Sequence, residues 1–189
     1  MSTAFRADLV RELRQLTGAI ESTNKEFWMA PDFASGVAKG IVVELSGNAK
    51  TEWLLALFKM HPEPFIFWCE KEIKANPAAF YQRGIKLERI KFITHTGDLL
   101  PALRLALESQ HYPFVVAPTY VDDIKTFQRF NLWAEKSKST LFFLSDKKLS
   151  TAWPISLQLH INFSETGFDI DIVRQKHGKN PVKDSGKSL

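Results

Sequence analysis

The hydrophobic pattern changes along the chain and divides it into regions. Between residues 40 and 145, short apolar runs without polar alternation are separated by stretches with helical spacing. Such runs are typical of strands that are buried on both faces of a parallel sheet. The runs are Ile41–Leu45, Phe65–Cys69, Ile90–Ile93, Phe114–Ala117 and Leu141–Leu144. The intervening helical stretches are Glu52–Lys59, Pro77–Arg83, Leu99–Gln110 and Asp123–Lys136. This alternation predicts an α/β fold with a mainly parallel sheet flanked by helices.

Strict alternation of apolar and polar residues replaces the continuous runs near the carboxyl end. Ile155 to Phe163 follows this period of two, and so does Phe168 to Ile172 after a turn that contains Gly167. The pattern predicts an antiparallel hairpin with one face in water. We expect this hairpin to extend the parallel sheet at one edge.

The amino-terminal stretch has helical spacing instead. Residues 4–17 predict an amphipathic helix, whereas residues 19–35, interrupted by Pro31, have no period. The apolar stripe of the helix consists of Phe5, Leu9, Leu13 and Leu16. We therefore expect a helix at 1–18, a linker at 19–35, a core domain at 36–175 and a basic flexible tail at 176–189.

Two apolar features outside the core domain are candidate partner-binding sites. One is the stripe of the amino-terminal helix, which binds another protein or a second copy of the chain, or else folds back onto its own sheet. The other is Phe27 and Trp28, an apolar pair within the expected linker.

The charge of the chain is concentrated at its carboxyl end. The net charge is +4, and up to residue 173 the basic and acidic side chains are equal in number. The excess comes from Arg174, Lys176, Lys179, Lys183 and Lys187 against Asp184. A short basic segment of this kind indicates a contact with DNA or another polyanion. The alternatives are a solvated terminus and a contact with an acidic protein surface.

Other residue types exclude several classes of protein. The only cysteine is Cys69, so an internal disulfide is impossible, and a reducing cytoplasmic location is expected. The five histidines have no metal-ligand spacing, so we expect no metal and no cofactor. No apolar run approaches the length of about 18 residues that spans a membrane, so no membrane contact is expected.

The first strand leads into a sequence that almost forms a phosphate-binding loop. Gly47 is followed by Lys50 and Thr51, which open the next helix. A phosphate loop has one glycine six positions before the lysine and another directly before it. Here Gly47 is only three positions before the lysine, and Ala49 directly precedes it. The spacing therefore predicts a degenerate nucleotide site.

Residues 35–120 resemble the core of the RecA ATPase family. The similarity is distributed over Gly36–Leu45, Cys69-Glu70 with the following Pro77–Ile85 segment, Thr96-Gly97-Asp98 and Phe114–Pro118. The resemblance implies that Glu70 has the position of the glutamate that activates water. It also implies that Ala117 replaces the aspartate of the magnesium site. A lone carboxylate does not transfer a phosphoryl group without the metal and the phosphate cradle, so we expect no catalysis.

The carboxyl half is similar to the ATPase-deficient branch of this family, which includes ImuA and SulA. The similar segments are Ala134–Ser137, Leu141–Leu144, Ala152–Leu159 and Ile172–Gly178. The amino-terminal helix and the basic end favour the ImuA type. This resemblance implies an accessory of an error-prone translesion polymerase in the SOS response, with a Y-family-like polymerase or a recombinase as partner. The alternatives are a SulA-like inhibitor of cell division and a residual ATPase or recombinase.

Overall fold

A computed structural model describes residues 25–119, 123–147 and 153–176 of the chain. The helices within these ranges are α1 (Lys50–Met60), α2 (Pro77–Gln82), α3 (Leu100–Glu108) and α4 (Ile124–Ser137). The first five strands are β1 (Phe27–Ala30), β2 (Phe33–Ala38), β3 (Val42–Ser46), β4 (Ile66–Glu70) and β5 (Ile90–Thr94). The others are β6 (Phe114–Pro118), β7 (Thr140–Leu144), β8 (Leu157–Phe163) and β9 (Phe168–Gln175).

Seven of the strands form one sheet in the order β5-β4-β6-β7-β3-β8-β9. Strand β3 is parallel to both of its neighbours, with Val43 opposite Phe142 on one side and Leu157 on the other. Strand β9 pairs antiparallel with β8 and forms one edge of the sheet. The predicted α/β class and the carboxyl-terminal hairpin at the sheet edge are confirmed.

The sheet has an apolar layer on each face. Helices α1 and α2 pack on one face, where Trp53 and Phe80 are buried. Helices α3 and α4 pack on the other face, where Leu103 and Phe130 are buried. Right-handed crossovers that run in opposite directions along a sheet place their helices on opposite faces. Both faces of the central strands are therefore covered, and their apolar runs need no polar alternation.

The structure differs from the expected linker at residues 27–35. Strands β1 and β2 form an antiparallel hairpin, and Asp32 in its turn has a φ of 52°. Trp28 of this hairpin is 9% exposed and its ring centroid lies 4.6 Å from that of Phe114. Its indole Nε1 donates to Thr140 Oγ1 at 3.0 Å. The hairpin belongs to the core because Trp28 contacts the first residues of β6 and β7, at the amino ends of these strands.

Several sequence predictions lie outside the described residues. The amino-terminal helix with its stripe of Phe5, Leu9, Leu13 and Leu16 is among them. The same holds for Lys179, Lys183 and Lys187 of the basic tail.

Candidate functional site

The carboxyl ends of the central strands open into a cavity of about 570 Å³. Its wall includes Lys50 and Thr51 at the start of α1 and Glu70 at the end of β4. Trp68 and Phe80 contribute aromatic surface to the same wall. Open α/β sheets bind their ligands at this edge. The structure therefore brings together three of the four residues that the sequence assigned to a degenerate nucleotide site.

The fourth residue, Gly47, packs against strand β8. It has a φ of +95°, and a Cβ added there would stand 2.1 Å from the carbonyl oxygen of Ile161. Only glycine combines this left-handed backbone conformation with so close an approach. The loop between β3 and α1 is therefore held directly on the neighbouring strand.

Hydrogen bonds from the loop backbone complete this attachment. The Ala49 N–H donates to the Ile161 carbonyl oxygen at 3.1 Å, and the Asn48 N–H donates to Asn162 Oδ1 at 3.4 Å. Asn48 Oδ1 in turn accepts from the Phe163 N–H at 3.3 Å. A phosphate cradle needs such N–H groups directed at the ligand. Here two of them are directed at β8.

The lysine of the site faces an acidic residue that the sequence predictions did not include. Lys50 Nζ lies 3.4 Å from Asp146 Oδ1 and 3.5 Å from the Gly47 carbonyl oxygen. Asp146 follows β7 and also lines the cavity. An acid directly beside the lysine partly offsets the positive charge that would attract a phosphate group.

The carboxylate of Glu70 holds the loop that follows its strand. One oxygen accepts from Trp68 Nε1 at 2.7 Å. The other oxygen accepts from the Lys74 N–H at 2.8 Å and from the Ala75 N–H at 3.0 Å. Both oxygens are therefore engaged, one by the side chain of Trp68 and the other by the backbone of the following loop. A general base needs an oxygen within reach of the proton that it removes, whereas both oxygens of Glu70 already accept hydrogen bonds from the protein.

An ion pair beside the cavity joins α1 to the end of α2. Arg83 Nη2 and Nε donate to the two carboxylate oxygens of Glu52 at 2.5 and 2.7 Å. This hydrogen-bonded pairing raises the pKa of Arg83. The two residues are 31 positions apart in the chain, and no local motif signals such a pair.

The single cysteine lies in the cavity wall but is nearly inaccessible. Cys69 is 1% exposed, and burial raises the pKa of its thiol to about 11. The thiolate is the reactive form of cysteine. At neutral pH this side chain is therefore an unreactive part of the core.

A polar row crosses the neighbouring strands β3 and β8. Glu44 Oε2 accepts from Gln158 Nε2 at 2.6 Å, and both side chains are buried. Ser46 Oγ lies 3.0 Å from His160 Nδ1 and donates to the Leu159 carbonyl oxygen at 3.3 Å. These bonds satisfy buried polar groups and join the two strands. In the sequence, Gln158 and His160 occur only as the polar half of an alternating pattern, and Glu44 lies within a run that is otherwise apolar.

The partner-binding and polyanion candidates that fall within the described ranges lie apart from the cavity. Phe27 is half-buried and Trp28 is buried, so the second has little surface for a partner. Arg174 on the edge strand β9 donates to the Trp153 carbonyl oxygen. Lys176 follows it, and its pKa is lowered by burial and by the neighbouring Arg174 charge. The basic segment thus starts on the outer edge of the sheet.

In residues 25–119, 123–147 and 153–176, no three His, Cys, Asp or Glu side chains are grouped as a metal site would need. Within those same residues, no helix has the length and apolar character required to cross a membrane.

The comparisons with known proteins give a distant similarity in structure. No family model matches the chain, and no curated protein matches it. Among solved structures, the chain is similar to SulA from Pseudomonas aeruginosa, with 14% identity and a TM-score of 0.48. The match covers 56% of this chain and 98% of that one. A likeness of this size leaves the function to be argued from the residues of the chain itself.

Proposed function

We propose that this chain is a RecA-like protein without ATPase activity that serves the SOS response by binding other macromolecules. Its role would be that of an accessory to an error-prone translesion polymerase. The observation that carries the proposal is the attachment of the shortened loop to β8 through the Ala49 N–H and the Ile161 carbonyl oxygen. The loop backbone supports the sheet where an ATPase would hold a phosphate group.

Three further observations support the absence of phosphoryl transfer. That reaction depends on a phosphate cradle, a metal ion and a positioned water. Lys50 faces Asp146, Glu70 is engaged by its own loop, and Ala117 is a buried apolar residue. Each position that the RecA resemblance assigns to catalysis thus has a structural partner or an apolar side chain.

The choice of a polymerase accessory rests on the ImuA-type sequence pattern of the carboxyl half. The part of this pattern that the structure describes runs through β7, β8 and β9 to Lys176. The basic residues extend beyond the described part of the chain, from Lys179 to Lys187. A cationic segment leaving the edge of a sheet suits a long-range attraction to DNA or to an acidic partner.

The first test is a calorimetric titration with ATP and magnesium. We expect no saturable heat up to about 1 mM ATP, so that any binding free energy is weaker than about −4 kcal/mol. The variant Lys50→Ala should give the same flat titration. A micromolar affinity that disappears in Lys50→Ala would revive the residual ATPase alternative.

The second test concerns the partner and the basic segment. We expect the full chain to capture the error-prone polymerase or the recombinase of its own genome in a purified binding assay. We also expect sequence-independent DNA binding, with a dissociation constant on the order of 10 μM or weaker at physiological salt. The four-lysine variant Lys176, Lys179, Lys183, Lys187→Gln should lose the DNA binding, because it removes the cations that neutralise phosphates. The salt dependence should weaken with it, since each neutralised phosphate contributes about −0.9 to the slope of log affinity against log salt.

A charge-matched control separates the tail from the overall charge. It replaces four exposed lysines elsewhere, Lys59, Lys86, Lys91 and Lys125, with Gln. DNA binding that falls equally in both variants, or only in the control, contradicts a tail contact. Unchanged DNA binding with loss of the protein partner in the tail variant would make the segment a protein-docking element. Blocked cell division upon expression in undamaged cells, without any effect on damage-induced mutagenesis, would favour the SulA-like alternative.

A further inference from the structure

Helices α3 and α4 form an outward-facing groove of about 800 Å³ with an apolar floor. Leu100, Pro101 and Leu105 come from α3, and Trp133 comes from α4. Leu105 is 71% exposed within the described chain. Contiguous apolar surface in a groove, with polar residues at its rim, indicates a place where another segment docks.

The rim of this groove carries more positive than negative charge. Arg104 lies on the α3 side and Arg129 on the α4 side. Glu108 also lines the groove, and Arg104 Nε donates to its carboxylate at 3.0 Å. An occupant that complements this groove has an apolar stripe with acidic residues along one border.

We propose that residues 4–17 of the same chain form a helix that occupies this groove. Their apolar stripe of Phe5, Leu9, Leu13 and Leu16 would face the apolar floor. Asp8 and Glu12 are one helical turn apart along one border of that stripe, where they would face the arginine on one side of the rim. The inference does not depend on the function proposed above.

The segment is long enough to cover the groove. A helix over residues 4–17 would extend for about 21 Å at 1.5 Å per residue. Helix α3, which supplies five of the seven lining residues, has nine residues and extends for about 14 Å. The helix would therefore cover the whole groove and extend beyond it.

The chain enters the described structure beside the carboxyl end of α4. Glu26 pairs with Lys39 at 2.7 Å, and its backbone carbonyl accepts from the Lys39 N–H at 2.8 Å. The adjacent Gly40 packs on the last turn of α4, since a Cβ added there would stand 3.4 Å from the Glu135 Cα. The hydrogen bond from Lys39 lowers the pKa of Glu26, and the positive charge of Lys138 at the end of the same helix contributes to this shift.

This entry point brings the segment within reach of the groove of its own chain. Trp133 precedes Glu135 by two residues on α4. Residues 18–24 can span up to about 23 Å when extended, which is several times the separation between neighbouring turns of a helix. The tether is therefore long enough to reach from the end of α4 to Trp133. A short tether keeps a segment at an effective concentration in the millimolar range beside its own groove. Docking within one chain is therefore favoured over docking between copies.

The experiment is cysteine cross-linking of the full chain. The variant Leu9→Cys with Leu105→Cys is treated with a short bismaleimide, and the native Cys69 stays silent because it is 1% exposed. We expect a cross-link within one chain, identified by mass spectrometry as a bridged peptide pair in the monomer band. The matched control is Arg11→Cys with Leu105→Cys, because Arg11 lies on the opposite side of the predicted helix. We expect its cross-linking yield to be about tenfold lower, since tethering alone does not orient the thiols.

Two comparisons can overturn the proposal. Equal yields from the Leu9 and Arg11 variants would mean that the segment is tethered nearby without docking by its stripe. Mixing the two single variants Leu9→Cys and Leu105→Cys tests docking between copies, and a cross-linked dimer there would overturn the arrangement within one chain. Absence of any cross-link, with a circular dichroism spectrum matching that of the unmodified chain, would contradict docking altogether. Circular dichroism also verifies that each variant is folded.

Discussion

Replacing Gly47 with alanine is expected to cost the protein about 3–5 kcal/mol of folding free energy, which is a large part of the stability of an ordinary domain. The added Cβ would stand 2.1 Å from the Ile161 carbonyl oxygen, and the φ of +95° already disfavours any side chain. Either β3 and β8 must separate or the loop must leave β8. Urea denaturation followed by circular dichroism measures the loss as a shift of the transition midpoint.

Gly84→Ala is the matched control for this substitution. Gly84 also has a positive φ, +78°, but nothing lies within 4 Å of an added Cβ. We therefore expect only the conformational cost of a non-glycine residue there, about 1–2 kcal/mol. Equal losses in the two variants would show that the loop is not held against β8. The backbone N–H groups of Asn48 and Ala49 would then be available to a ligand, and the argument against nucleotide binding would lose its main support.

The second large effect is expected at Trp28. Trp28→Ala should lower stability by about 3–5 kcal/mol, the usual cost of truncating a large core aromatic. The ring packs on Phe114 with a centroid separation of 4.6 Å, on His61 at 5.1 Å, and beneath the Lys39 ammonium at 4.3 Å. It also donates to Thr140 Oγ1, which would lose this buried partner. The same denaturation experiment measures this loss.

The neighbouring residue provides the control for Trp28. Met29 is 67% exposed, so Met29→Ala is expected to change stability by no more than about 0.5 kcal/mol. This contrast distinguishes a core residue from a partner-binding one. If Trp28→Ala kept its stability but lost a protein partner, the sequence-based assignment of Phe27 and Trp28 to partner binding would be right.

Local signals predicted most of the helix starts and the strand type. Asp123 begins one of the predicted helical stretches, and its carboxylate accepts from the Thr126 N–H at 2.9 Å at the start of α4. The cap forms because the acceptor and the donor lie three residues apart. Helix α1 begins two residues earlier than its apolar spacing predicts, at Lys50, after a residue that makes no side-chain cap. Its start is defined by the loop held on β8, which is not a local feature.

The sequence alone determined the α/β class and the carboxyl-terminal hairpin, because an apolar run buried on both faces and an alternating run at a sheet edge are each encoded within a few adjacent residues. It also revealed the shortened loop, since the spacing from Gly47 to Lys50 can be counted. Only the tertiary structure decided what the loop does instead. Ile161 follows Ala49 by more than 100 positions, and Asp146 is 96 positions from Lys50. Such contacts depend on which strands become neighbours when the sheet assembles, and no local pattern of residues specifies that.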